Sequence, residues 1–215
     1  MLKYGELVPA VMLVLNVLAC GYFEREILAS ESAISAFYLV QGGILSSILF
    51  GHGSVLLGGI VDRARFLGVP RRLRFGFVGT EFSAHPVALA QLASLLLVWI
   101  TLFIRTLPAL LLIILATVVW YAATVACTTL AYLFTVRWRV NPLALGGLVV
   151  MMLFVVLTGP MVLAGGSPYS AVPISGWTGL AITEALRGET GKSLLWLAPS
   201  LVFPLLMLPF VVRKG

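Results

Sequence analysis

Charge is scarce in this chain. Of its 215 residues, 10% are Asp, Glu, Lys or Arg, against about 25% in typical soluble domains. Residues 33–61 carry no charge, and residues 82–104 carry only His85 as a titratable group. No polar stretch approaches the ~50 residues that a separate soluble domain needs, so residues 1–215 read as one transmembrane domain. Cysteine is nearly absent. Cys20 and Cys127 both fall in apolar stretches, which excludes a disulfide framework and gives neither the neighbours of a metal site. Buried charge is missing too. No Asp, Glu, Lys or Arg falls in the middle of an expected span, which argues against intramembrane catalysis and proton coupling. There is no Ser-His-Asp set, no HExxH motif and no paired carboxylates.

What the chain has in quantity is apolar length. It is 60% hydrophobic, with a mean hydropathy of +1.08. Charge-free runs of about 20 residues, the length that crosses a hydrocarbon core, give six expected spans. They lie near 7–23, 34–60, 87–104, 109–136, 142–164 and 193–212. Pro9, Pro86 and Pro108 stand at span starts, where a helix tolerates them. Pro199, Pro204 and Pro209 are expected to break up the sixth span. The fold class is an all-α integral membrane protein of six transmembrane helices, multi-pass in the cell membrane. Met1-Leu2-Lys3 and the apolar run after it resemble a signal peptide, but with five further spans downstream an uncleaved first helix is expected.

The basic residues are clustered. Residues 62–74 hold Arg63, Arg65, Arg71, Arg72 and Arg74, five of the fourteen Lys and Arg in the chain. Placing that loop in the cytoplasm puts Lys3, Arg137, Arg139, Arg213 and Lys214 there as well. Only Arg25, Arg105, Arg187 and Lys192 are left outside. The positive-inside bias thus makes both termini cytoplasmic. The net charge of +6 follows from topology, and without aromatic-basic interleaving it predicts no nucleic-acid partner.

The 44 uncharged residues from Val140 to Thr183 are too many for one span. Gly165-Gly166-Ser167-Pro168, Pro173 and Ser175-Gly176 interrupt the second half. Residues 165–192 read as an external region, either re-entrant or a plain loop, with a short helix over Gly176–Leu186. On it Glu184 and Arg187 are spaced i, i+3 and share a face, as do Trp177 and Leu180. These four residues form a candidate external gate. His52, between two glycines, is expected to be packed or interfacial, and Asn16 to hydrogen-bond between helices. Gly188-Glu189-Thr190-Gly191-Lys192-Ser193 ends like a phosphate-binding loop, but Leu186 stands where that motif needs glycine.

In this order the parts resemble the membrane subunit of ABC-2 type ATP-binding-cassette exporters. Asp62-Arg63, Gly79-Thr80-Glu81-Phe82 and His85-Pro86-Val87 are similar to that family's cytoplasmic coupling loop between spans two and three. Gly68-Val69 competes for the Gly-Thr position, leaving two registers open. Leu157-Thr158-Gly159-Pro160, Ser167-Pro168-Tyr169, Pro173 and Glu184-Ala185-Leu186-Arg187 match its late external region. The chain departs from the family at its start, where only about six residues precede the first span.

The resemblance implies a transport permease that works as a homo- or heterodimer and binds no cofactor itself. ATP, with Mg, would sit on a separate ATPase subunit docked at Asp62, Arg63, Arg65, Arg71, Arg72, Gly79, Thr80, Glu81, Phe82 and Pro86. The apolar character of the spans favours lipid-like or drug-like cargo. Lipid contact alone also accounts for the loop arginines. A small membrane enzyme acting on lipid and a secondary transporter are the alternative functions. The first is opposed by the lack of clustered acids or histidines, the second by the lack of buried charge and of an internal repeat.

Overall fold

The structure is a computed structural model that describes residues 31–55, 59–103, 107–138 and 172–212. The described residues are all helical apart from short turns. In chain order the helices are α1 (Glu31–Val55), α2 (Gly59–Phe66), a 3-10 turn (Arg71–Leu73), α3 (Arg74–Ser83), α4 (Pro86–Phe103), α5 (Leu107–Trp138), α6 (Ser175–Leu186) and α7 (Thr190–Val212). The expected first and fifth spans lie outside the described residues, as do Asn16, Cys20 and the segment 157–169.

Among the described residues, three stretches are long and apolar enough to cross a membrane: Glu31–Phe50, Pro86–Phe103 and Leu107–Val136. The apolar stretch Thr190–Leu206 is shorter. Each departure from the sequence reading has a local cause. The second span was expected to reach Ile60; Ile60 lies in α2, which carries Asp62, Arg63 and Arg65, and residues 56–58 between α1 and α2 lie outside the described residues. Pro108 does not delay α5, because the first turn of a helix has no intrahelical use for that N–H. The helix starts one residue earlier and runs unbroken for 32 residues. The prolines of α7 do not break it either: it is continuous from Thr190 to Val212. A proline costs one backbone hydrogen bond, whereas leaving the helix within lipid would strand many more.

α1, α4 and α5 are joined by hydroxyls, amides and rings instead of charge. Trp99 of α4 donates its indole N–H to the Tyr38 hydroxyl of α1 at 2.8 Å. The Tyr38 hydroxyl lies 2.7 Å from Thr117 Oγ1 of α5, and Thr117 donates to the Ile113 carbonyl at 2.8 Å. With the Thr117 proton committed, Tyr38 must be the donor of the middle bond. Further along the bundle, Gln91 Nε2 donates to the Gln41 carbonyl and to Gln41 Oε1, at 2.9 and 2.8 Å. Next, Ser46 lies 2.9 Å from Thr128 Oγ1, and Thr128 donates to the Thr124 carbonyl at 2.7 Å. By the same argument Ser46 donates. Phe50 and Tyr132 close the series edge to face at 5.9 Å. The pairs 38/117, 46/128 and 50/132 make α1 and α5 parallel.

Candidate functional site

Two features project from or into this frame. The first is the α2–α3 loop at the Val55 end of the bundle. α2 is amphipathic over barely two turns: Ile60, Val61 and Ala64 are buried, while Asp62, Arg63, Arg65 and Phe66 are exposed. It stops in a Schellman motif. Gly68 has φ +69°, its N–H bonds the Arg65 carbonyl at 3.0 Å, and the Val69 N–H bonds the Ala64 carbonyl at 2.8 Å. That backbone geometry is the reason for glycine there. Pro70 and the 3-10 turn then lead into α3.

α3 packs along α5. Phe82 is fully buried, its ring 5.6 Å from that of Tyr132. The Tyr121 hydroxyl donates to the Ser83 carbonyl at 2.8 Å, and Gly79 faces the Thr129 hydroxyl. Ser83 thus lies toward Tyr121 and Gly79 toward Thr129, so α3 runs antiparallel to α5. An ion pair between Arg63 and Glu81, 3.6 Å apart, ties α2 to α3.

Of the residues the sequence singled out here, the structure joins Asp62 to Arg65 at 2.8 Å and Arg63 to Glu81. Arg71 and Thr80 are exposed, and Arg72 lies in the 3-10 turn. Thr80 Oγ1 donates back to the Phe77 carbonyl at 2.8 Å. Pro86 is the exposed first residue of α4. Phe82 and Gly79 are turned toward α5 and not to the outer face. What the sequence reading missed is apolar: Phe66 is 91% exposed, Leu67 60% and Leu73 56%. Their signal was present, since they interleave with the arginines of the 62–74 run, but attention to charge alone passes over it.

The second feature is α6. Eight of its twelve residues are buried: Ser175, Gly176, Thr178, Gly179, Ala181, Ile182, Thr183 and Ala185. It packs among α1, α5 and α7. Gly179 lies so close to Ser35 that a Cβ on it would come within 2.8 Å of the Ser35 Cα. Ser175 Oγ donates to the Tyr38 carbonyl at 3.2 Å. The start of α6 therefore reaches nearly to the middle of α1.

It is held there by a sharp bend. Ile174 has φ 68° and ψ −65°, and the Ser175 N–H bonds the Pro173 carbonyl at 2.8 Å. This is the rare γ-turn. For a β-branched residue it costs on the order of 1–3 kcal/mol, offset by the surrounding packing. At its other end α6 closes in a second Schellman motif, with Gly188 at φ +80° and the Glu189 N–H on the Glu184 carbonyl at 2.9 Å. α7 follows at once, so α6 and α7 form a hairpin, and Gly188–Ser193 is its turn and the first residues of α7.

Glu184 and Arg187 pair at 2.8 Å. Trp177 and Leu180 are half-buried, and the Trp177 ring meets Phe203 of α7 edge to face at 5.9 Å. Ala185, Leu186, Gly188 and Thr190 line, with Pro108, Ala109 and Leu112 of α5, a mostly apolar groove of ≈ 280 Å³. The short helix expected from the sequence is thus present, but it is interior to the bundle.

Compared with models of known protein families, with curated proteins and with solved structures, the chain matches none.

Proposed function

We propose that the chain is the transmembrane permease subunit of an ABC-2 type exporter. It has six spans and both termini in the cytoplasm. It works as a dimer, homo- or hetero-, driven by a separate ATPase subunit that carries ATP and Mg. The observation that carries this reading is the exposed tip of the α2–α3 loop. Phe66, Leu67 and Leu73 stand out beside Arg65 and Arg71, a composition suited to the buried centre of a protein interface.

Depth distinguishes a protein partner from lipid. Thr129, opposite Gly79, is ~33 Å along α5 from Leu107 at 1.5 Å per residue. That already equals a hydrocarbon core of about 30 Å. α3 extends from Gly79 back to Arg74 farther from Leu107, so the tip stands clear of the acyl chains. The contacts of α3 on α5 then give a rigid route from the tip into the spans. In this reading α6 is a re-entrant half-helix on the external side, and Trp177, Leu180, Glu184 and Arg187 border the exit.

The test is co-purification. The chain and its ATPase, expressed together, form a complex with transport-coupled ATP hydrolysis, and the chain alone hydrolyses none. Phe66→Ala combined with Leu67→Ala abolishes the complex at wild-type levels of folded chain. Undiminished association in that double variant removes the tip from the docking surface.

A further inference from the structure

We propose that the groove between the start of α5 and the α6–α7 turn holds one resident phospholipid, with an acyl chain in the groove and a zwitterionic headgroup on the two ion pairs of the turn. The site requires that α5 span a membrane and requires no ATPase partner.

The groove has a volume of ≈ 280 Å³, with Pro108, Ala109 and Leu112 of α5 on one side and Leu186 and Thr190 on the other. A helix, about 10 Å across with its side chains, is too large for that space, whereas a single hydrocarbon chain suits it. No charged residue lines the groove, and Thr190 brings its one side-chain hydrogen-bonding group. Pro108 and Thr190 are exposed, so the groove is open at its rim. Toward the middle of α5 its exposed face continues as Leu111, Leu115 and Val118, whose spacing makes one apolar stripe. From Pro108 to Val118 the helix rises ~15 Å at 1.5 Å per residue. That is half of a hydrocarbon core of about 30 Å, the depth of the acyl chains of one leaflet. Groove and stripe together match one lipid measured inward from its ester groups, with the Thr190 hydroxyl at the polar end.

Charge is arranged at that same end. Residues 184–192 hold Glu184, Arg187, Glu189 and Lys192, two of each sign, so the turn is neutral. Arg187 pairs with Glu184 at 2.8 Å and Lys192 with Glu189 at 3.9 Å. Arg187 and Glu189 flank Gly188, which lines the groove, so both pairs stand at its rim. Exposed ion pairs stabilise a protein little, and their members exchange partners readily. Arg187 and Lys192 meet the lipid phosphate, and Glu189 meets the headgroup ammonium. A zwitterion satisfies both signs. An anionic headgroup leaves the carboxylates facing like charge.

The full chain is purified in mild detergent, stripped of lipid and titrated with dioleoyl-phosphatidylethanolamine, and lipid adducts are counted by native mass spectrometry. The expected result is one saturable adduct that an equal concentration of dioleoyl-phosphatidylglycerol does not displace. Ala109→Phe fills the groove and should lose the adduct, with the thermal midpoint of the lipid-free protein establishing that it is folded. Arg187→Gln combined with Lys192→Gln alters only exposed side chains, so it tests the headgroup contact even where the filled groove disturbs folding. Its adduct should fall in occupancy. The absence of a saturable adduct in wild type, its displacement by phosphatidylglycerol, or an adduct undiminished in either folded variant overturns the proposal.

Discussion

The Trp99 indole and the Tyr38 hydroxyl meet at 2.8 Å, with the two rings nearly parallel at 5° and their centroids 6.4 Å apart. Both side chains are essentially fully buried. The contact joins α4 to α1, and the onward bond to Thr117 joins both to α5. Tyr38→Phe would keep the stacking and strand the indole donor. Leaving a buried donor unpaired costs about 1–3 kcal/mol, while interhelical hydrogen bonds in membranes average nearer ~0.6 kcal/mol. We expect a loss of about 1 kcal/mol in reversible unfolding by SDS. Thr117→Val should cost less in the Tyr38→Phe background than alone, because the bond it removes is already gone. Strict additivity of the two would mean the chain of bonds does not act as a unit.

The long apolar helices α1, α4 and α5 were legible from the sequence, because apolar run length is a one-dimensional signal. α4 begins at the expected proline, and the short helix ending at Leu186 was visible between Pro173 and Gly188. The interior position of α6 was not legible. It depends on Gly179 meeting Ser35, and nothing in a single sequence pairs residues so far apart. The polar connections were missed for a different reason. Tyr38, Gln41, Gln91 and Thr117 carry no charge, so a search for buried ionisable groups does not register them. The exposed Phe66 was hidden by its composition, since an apolar residue in an apolar protein draws no notice until its surroundings are known.

Gly179→Ala should destabilise the chain. The new methyl would come within 2.8 Å of the Ser35 Cα, and backbone cannot yield as a side-chain tip can. Overpacking of this kind costs about 1–3 kcal/mol. Gly191 is the control: it lies near the start of α7 with nothing within 4 Å of the added methyl. Gly191→Ala should stabilise by up to ~1 kcal/mol through reduced chain entropy. The two can be compared in one series of thermal melts. A Gly179→Ala protein as stable as wild type would mean that α6 does not pack on α1 this closely.

Phe82 and Phe66 make a second contrast, between two phenylalanines of the same loop. Phe82 is fully buried against Tyr132, and Phe66 is 91% exposed. Phe82→Ala should cost about 3–5 kcal/mol, read as a lower unfolding midpoint. Phe66→Ala should leave the midpoint within ~0.5 kcal/mol of wild type. Equal effects of the two substitutions would contradict the packing of α3 on α5.

Orientation can be read by labelling, and Phe66 and Thr190 are suited to it, because both are exposed and lie at opposite ends of the bundle. Cys20 and Cys127 are first replaced by Ser or Ala, so that each variant carries one thiol. If the lysine-arginine bias sets the topology, Thr190→Cys in intact cells reacts with a membrane-impermeant maleimide. Phe66→Cys reacts only after the membrane is opened. Neither position is buried, so a failure to react cannot be blamed on packing. Labelling of Phe66→Cys in intact cells would place the α2–α3 loop outside. An ATPase could not reach it there, and the exporter reading would fail together with the assigned orientation. Labelling of both positions only after permeabilisation would put the two ends on one side, which is incompatible with α5 as a span.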